Sequence, residues 1–147
     1  MTTGSPPAAI WWRAGEKALL IDTGMGEGDL AGLVSQLTDL PVEVAVTHPH
    51  LDHMHWIDKF SRVYLHKEDI APLKEHPESY PSALSHPGAS LPELMPIEEG
   101  SVIDLGAASR WRCGSCPGTR PTRWCLRTPS TSACSPGTPS APDTSCC

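Results

Sequence analysis

Residues 1 to 112 contain no cysteine; all 6 cysteines fall between Cys113 and Cys147. Cysteine usage therefore belongs to one segment, and that asymmetry divides the chain. The N-terminus, Met1 to Ala9, lacks a basic stretch followed by an apolar run, and no segment approaches membrane-spanning length. A cytoplasmic protein with no membrane partner is the expectation. A basic surface is missing as well: the formal net charge is −6, so nothing supplies the positive stripe that nucleic acid requires. There is no internal repeat. With 147 residues the chain can bury one modest core, enough for a single domain or part of a larger one. What the sequence has in excess is histidine, 7 in all.

The apolar pattern places these histidines. Ile10-Trp11-Trp12-Arg13 and Ala18-Leu19-Leu20-Ile21 flank Ala14-Gly15-Glu16-Lys17 and read as a β-hairpin with the glycine in its turn. The second strand ends at Asp22-Thr23-Gly24. After a loop with glycines at 24, 26 and 28, Leu30, Leu33, Val34 and Leu37 recur at helical spacing from an acidic start at Asp29, and the helix stops before Pro41. Val42, Val44 and Val46 alternate with Glu43, Ala45 and Thr47, a strand that leads directly into His48. Arg62 to Leu65 is a further strand, and Lys67 to Glu75 a helix limited by Pro72. Such an alternation builds an α/β layer. Residues 77 to 100 read as a long loop, and Ser101 to Leu105 as a last strand. From Ala107 onward Leu126 is the one aliphatic residue larger than alanine, a composition that cannot build a core face.

His48, His50, Asp52 and His53 leave the third strand together. Imidazole nitrogen and carboxylate oxygen suit zinc or another borderline divalent metal. In an extended loop alternate residues point the same way, so His48 and His50 can reach one metal while Asp52 and His53 turn toward a neighbouring position. A metal pair would acidify a shared water and make a hydrolytic nucleophile. The competing reading is a histidine-rich surface loop without metal. Of the remaining histidines, His66 at a strand end reads as structural, His76 and His86 each precede a proline in a loop and read as solvated, and His55 is a neighbour of the cluster.

Thr47-His48-Pro49-His50-Leu51-Asp52-His53, preceded by Leu20-Ile21-Asp22-Thr23-Gly24, resembles the metallo-β-lactamase superfamily, whose signature is Thr-His-x-His-x-Asp-His after a buried strand. The resemblance implies an α/β fold in which residues 1–106 form the N-terminal half of an αββα sandwich. Residues 107–147 then form a low-complexity, disordered or non-native tail. It implies that His48 and His50 bind a first zinc and that Asp52 and His53 belong to a second, with Asp52 also taking a catalytic part. Asp22 would support the metal loop from behind, although a strand-end turn aspartate explains it equally well. Where relatives often carry two glycines after the signature, this chain has Met54-His55-Trp56, which alters the following turn.

Four ligands from one loop do not complete a two-metal centre. The family supplies the rest from a Gly-His-Thr-Pro turn, a later Thr-Gly-Asp turn and a final histidine, none of which is visible here; after Cys113 there is no histidine and a single acidic residue, Asp143. The genetic code offers an account. Re-reading each codon from the third base of one to the first two of the next turns every Cys and Trp into Leu, Met or Val. The same rule permits Gly-His-Thr-Pro across Pro117 to Pro121 and Thr-Gly-Asp across Ser135 to Thr138. A shift of coding frame between Asp104 and Trp111 follows as a hypothesis, tested by translating the coding DNA in all three frames.

The function implied by the resemblance is a zinc-dependent hydrolase, with one or two zinc ions, that directs a metal-bound hydroxide at an ester, thioester, lactone or lactam. Its substrate would be a small molecule, and the glyoxalase II-like hydrolases are the nearest in pattern. Two alternatives stand beside it. One is a non-catalytic remnant that binds zinc weakly through His48 and His50. The other is a cysteine-rich module built on Cys113-Gly114-Ser115-Cys116, whose further cysteines, Cys125, Cys134, Cys146 and Cys147, form no matching pair.

Overall fold

The computed structural model describes residues 10–14, 16–26, 28–76, 90–106, 110–115 and 124–127. Strands β1 (Ile10–Ala14) and β2 (Lys17–Ile21) pair antiparallel, Ile10 opposite Ile21 and Ala14 opposite Lys17. Helix α1 (Leu30–Leu37) opens on Asp29, whose carboxylate accepts the Gly32 amide at 2.8 Å and so satisfies one of the unpaired donors of the first turn. Of its apolar stripe only Val34 is buried; Leu33 and Leu37 are each 53% exposed. The helix leads into β3 (Val42–Ala45), which runs parallel to β2 with Leu20 opposite Val44 and Ile21 opposite Ala45.

After the histidine loop come a one-turn helix α2 (Leu51–Met54), a 3-10 turn (Ile57–Lys59) and β4 (Arg62–His66), parallel to β3. His66 caps α3 (Lys67–Glu75), its Nδ1 accepting the Glu68 amide at 3.4 Å. α3 has the bounds expected from the sequence, Lys67 to Glu75, with Pro72 inside it. The helix runs on to Glu75, and the His76 amide closes on the Pro72 carbonyl at 2.9 Å, because a proline forfeits its own donor but keeps its acceptor. His76 lies exposed at the end of that helix, and His86 lies outside the described residues.

The segment expected to be a loop from 77 to 100 contains a strand, β5 (Glu93–Ile97), parallel to β4 with Leu65 opposite Pro96. Pro96 misleads the reading of sequence. β5 is the outer strand in the order β1-β2-β3-β4-β5, and an edge strand tolerates a residue that cannot donate to a further neighbour. A second sheet, β6-β7-β8, is antiparallel: β6 (Val102–Asp104), β7 (Arg110–Ser115) and β8 (Trp124–Arg127). Strand structure thus continues past residue 107, against the expectation that no core face could be built there. Trp111 and Cys113, two apart on β7, supply that face, buried to 6% and 3% exposure. Aliphatic content was the wrong measure, because a tryptophan and a protonated cysteine are also apolar. The rest of 107–147 lies outside the described residues.

Among the described residues there are two cores, one on each face of the larger sheet. Leu20, Val44, Val46, Val63 and Leu65 face the helices with Val34, Met54, Ile57 and Leu73. Leu19, Ile21, Ala45 and Ile97 face the smaller sheet with Ile103, Leu105, Trp111 and Cys113. The layers are helix, sheet, sheet, a partial metallo-β-lactamase-type sandwich. Burial on both faces explains why β3 is covered from Glu43 to Thr47 rather than wet on alternate residues, as parallel central strands are. Glu43 is tolerated there at 5% exposure because Lys17 Nζ (2.8 Å), Tyr64 Oη (2.7 Å) and Arg62 Nη1 (3.2 Å) all donate to it.

Candidate metal centre

Parallel β2, β3 and β4 end side by side, and the loops at their carboxyl ends are where ligands bind open α/β sheets. The pairing of β2 with β3 continues one step past the strand, the Asp22 amide donating to the Ala45 carbonyl at 2.8 Å. Asp22 then adopts a left-handed backbone, φ 59°, a conformation that aspartate tolerates better than most side chains. The reversal aims its carboxylate across the head of β3, where Oδ1 accepts the Thr47 amide at 2.7 Å and Oδ2 accepts the Thr47 hydroxyl at 2.8 Å. Oδ2 also meets His53 Nδ1 at 2.7 Å. Burial pushes the Asp22 carboxyl above the usual carboxylate range. The bonds from the Thr47 amide, His53 and the Thr47 hydroxyl oppose that shift without reversing it.

Thr23, fully buried, ties down the other end of the loop. Its amide (2.7 Å) and hydroxyl (3.1 Å) both donate to the His53 carbonyl, and its hydroxyl accepts the Trp56 amide at 3.1 Å. Met54 anchors the same turn from below in the helix-side core, and its amide closes α2 on the His50 carbonyl at 3.1 Å. The Met54-His55-Trp56 segment therefore serves as an apolar and hydrogen-bonded anchor. Neither Thr23 nor Thr47 is a metal donor, so a search for ligand types passes over both, although each stands inside one of the two motifs.

The anchored loop brings three imidazoles together. The ring of His48 lies 3.9 Å from that of His53 and 4.5 Å from that of His50, centroid to centroid. His48 is buried, His53 half-buried and His50 exposed. His48 Nδ1 sits 3.0 Å from the Thr47 hydroxyl. Asp52 extends into solvent, 62% exposed, with Oδ2 3.5 Å from His53 Nε2. His55 stacks edge-on against Trp56 with ring centroids 4.7 Å apart, and His66 stands at the end of β4 as a helix cap. Among the described residues no three His, Cys, Asp or Glu side chains are placed to hold one metal ion. The cysteine knuckle is not assembled among the described residues either. Cys113 is buried between the sheets, where burial pushes its thiol up to about 11, and Cys116 lies outside them.

The class that the fold defines is the layered α/β sandwich, here with a histidine-aspartate loop at the carboxyl ends of its parallel strands. The metallo-β-lactamase superfamily model matches residues 3–129, and the chain belongs to that superfamily. The match continues beyond residue 107, across β7 and β8. Solved structures agree on the fold. A subclass B3 metallo-β-lactamase of Bradyrhizobium japonicum is 19% identical with TM-score 0.58, over 80% of this chain and 48% of its own. A β-lactamase from Chitinophaga pinensis is 19% identical with TM-score 0.59, over 82% and 49%. A flavodiiron core from Synechocystis is 17% identical with TM-score 0.55, over 78% and 29%. The chain spans about half the length of the β-lactamases it matches. No curated protein sequence matches it.

Proposed function

We propose that this chain carries the first half of the metal centre of a zinc-dependent hydrolase acting on a small ester, thioester, lactone or lactam. His48 and His50 are the donors for one zinc, Asp52 and His53 for a second, and Asp22 supports the loop. The observation that carries the reading is the Asp22 carboxylate binding Thr47 and His53 together, which holds three imidazoles at the head of one strand. Donor type also fits. Two ligands on one tetrahedral zinc stand about 3.3 Å apart, given bonds near 2.0–2.1 Å, and Asp52 Oδ2 and His53 Nε2 are 3.5 Å apart. Zinc bound there supplies Lewis acidity and a water acidified to near-neutral pH. The chain's own part is to orient the rings, to keep Asp52 accessible at the rim, and to exclude water from the buried side of His48. A cytoplasmic location is part of the proposal, and the net negative charge speaks against a nucleic-acid or anionic-membrane partner.

Donor count favours a second reading for the chain by itself. With no three donors convergent among the described residues, it would bind zinc weakly and catalyse nothing. Cys113 packs in the apolar core between the two sheets with Leu19, Ile21 and Ile103, a position that disfavours the cysteine module.

Zinc content and hydrolysis separate these readings. Wild type, His48→Ala, Asp52→Ala and Cys113→Ala are assayed for bound zinc by native mass spectrometry and for turnover of a thioester, a lactone and a lactam. Zinc lost in the first two variants but kept in the third supports the loop, and turnover above that of free zinc then supports the enzyme over the remnant. Zinc unchanged in His48→Ala and Asp52→Ala overturns the proposal.

A further inference from the structure

Thr47 sits at the meeting point of the site without being a donor to metal. Its hydroxyl oxygen lies 2.8 Å from Asp22 Oδ2, 3.0 Å from His48 Nδ1 and 3.4 Å from His53 Nδ1. A hydroxyl has one proton and can accept at its lone pairs, whereas an ionised carboxylate can only accept. The shortest of the three contacts, at 2.8 Å, gives the single hydroxyl proton to Asp22 Oδ2. It follows that His48 Nδ1 must be the donor in the remaining contact, Nδ1–H to the Thr47 oxygen. His53 is set separately, since its Nδ1 is 2.7 Å from the same carboxylate and must donate to it. The two rings are thereby given the same tautomer by two different partners.

We propose that Thr47 is a positioning residue that fixes His48 in its Nδ1–H tautomer, through a hydroxyl whose own proton is held by Asp22. The consequence is that the lone pair of His48 is on Nε2, as it is on His53. The neutral ring can ligate through only one nitrogen, so the tautomer chooses which face of the ring a metal can use. Burial reinforces the choice: Thr47 and His48 are 7% and 6% exposed, and little solvent competes for the hydroxyl. The proposal deepens the metal-site reading and rests on it for its purpose, although the tautomer itself is a property of the zinc-free chain.

The test uses that independence. Two-bond proton–nitrogen correlation spectra of histidine-labelled, zinc-free protein are recorded at about pH 8, above the ordinary imidazole range. Wild type is expected to show the proton on Nδ1 of both His48 and His53. Thr47→Val, which keeps the shape and removes the hydroxyl, is expected to shift His48 toward Nε2–H and leave His53 unchanged, while Thr47→Ser restores the wild-type pattern. Zinc affinity by chelator competition should fall about 10- to 100-fold in Thr47→Val and recover in Thr47→Ser, the usual effect of losing a partner behind a ligand.

A wild-type His48 protonated on Nε2, or a Thr47→Val spectrum identical to wild type, overturns the proposal. If Thr47→Val disturbs the whole loop, visible as a changed His53, Thr47→Ser decides: a retained pattern supports the hydroxyl's role and a shifted His48 refutes it. Wild type that binds no zinc but shows the expected tautomers removes the metal-site reading and leaves this one standing. Zinc bound normally with an unmoved tautomer does the reverse.

Discussion

Replacing Asp22 by alanine removes the acceptor of three donors at once: the Thr47 amide, the Thr47 hydroxyl and His53 Nδ1. A buried donor left without a partner costs about 1–3 kcal/mol, so three would cost about 3–9 kcal/mol if all stayed dry. They do not all stay dry. His53 is at 14% side-chain exposure and the vacated carboxylate volume admits water, so the imidazole and hydroxyl recover most of their loss. The Thr47 amide, fixed by the end of β3, recovers least. Relief of the burial penalty on the Asp22 carboxyl offsets part of the remainder, and alanine at φ 59° adds strain that aspartate avoids. The expected loss is about 3 kcal/mol, read as a lowered urea midpoint with unchanged slope. Asp22→Asn, which tolerates the same backbone and keeps one acceptor oxygen, should lose about half as much. A loss below about 0.5 kcal/mol for Asp22→Ala, the size of an ordinary surface substitution, would refute the idea that this carboxylate holds the loop.

Two further outcomes test the framework around the site. Burial alone would raise the Glu43 carboxyl, but hydrogen bonds from Lys17 and Tyr64 and the charges of Lys17 and Arg62 hold it below its ordinary value of 4.5. The stability it contributes is therefore present above about 4.5 and lost as pH falls through the lower folded value. Urea midpoints of wild type and Glu43→Gln should converge in that acid window, and a difference independent of pH would contradict the ion network. Cys113, with its thiol raised from 9.0 to about 11, should carry about 100-fold less thiolate at a given pH than an ordinary cysteine. Peptide-resolved alkylation should find it protected in the native chain and reactive in urea, and equal rates in both would place it outside the core.

Local pattern made much of the first half readable. The hairpin of β1 and β2, the start of α1 at Asp29 and the strands β3 and β4 each follow from apolar spacing and a local stop signal, which the backbone obeys without help from distant residues. Elements that depend on position in a sheet were not readable in this way. β5 contains Pro96 and is a strand only because it occupies an edge. β7 has few aliphatics and is a core strand because Trp111 and Cys113 meet Leu19, Ile21 and Leu105 across two sheets. The exposure of Leu33 and Leu37 on α1 is likewise a matter of which face found a partner.

The same division runs through the site. The order of residues by itself determined that imidazoles and a carboxylate would leave one strand together, since Thr47 to His53 are consecutive and short-range geometry does the rest. Only the tertiary structure decided which groups hold them. Asp22 reaches Thr47 and His53 across 25 and 31 positions of chain, and Thr23 reaches the His53 carbonyl across 30. Those contacts exist because parallel β2 and β3 end in register. Hydrogen bonds act over about 3 Å, whereas spacing in sequence carries no information about distance once a helix and a strand intervene.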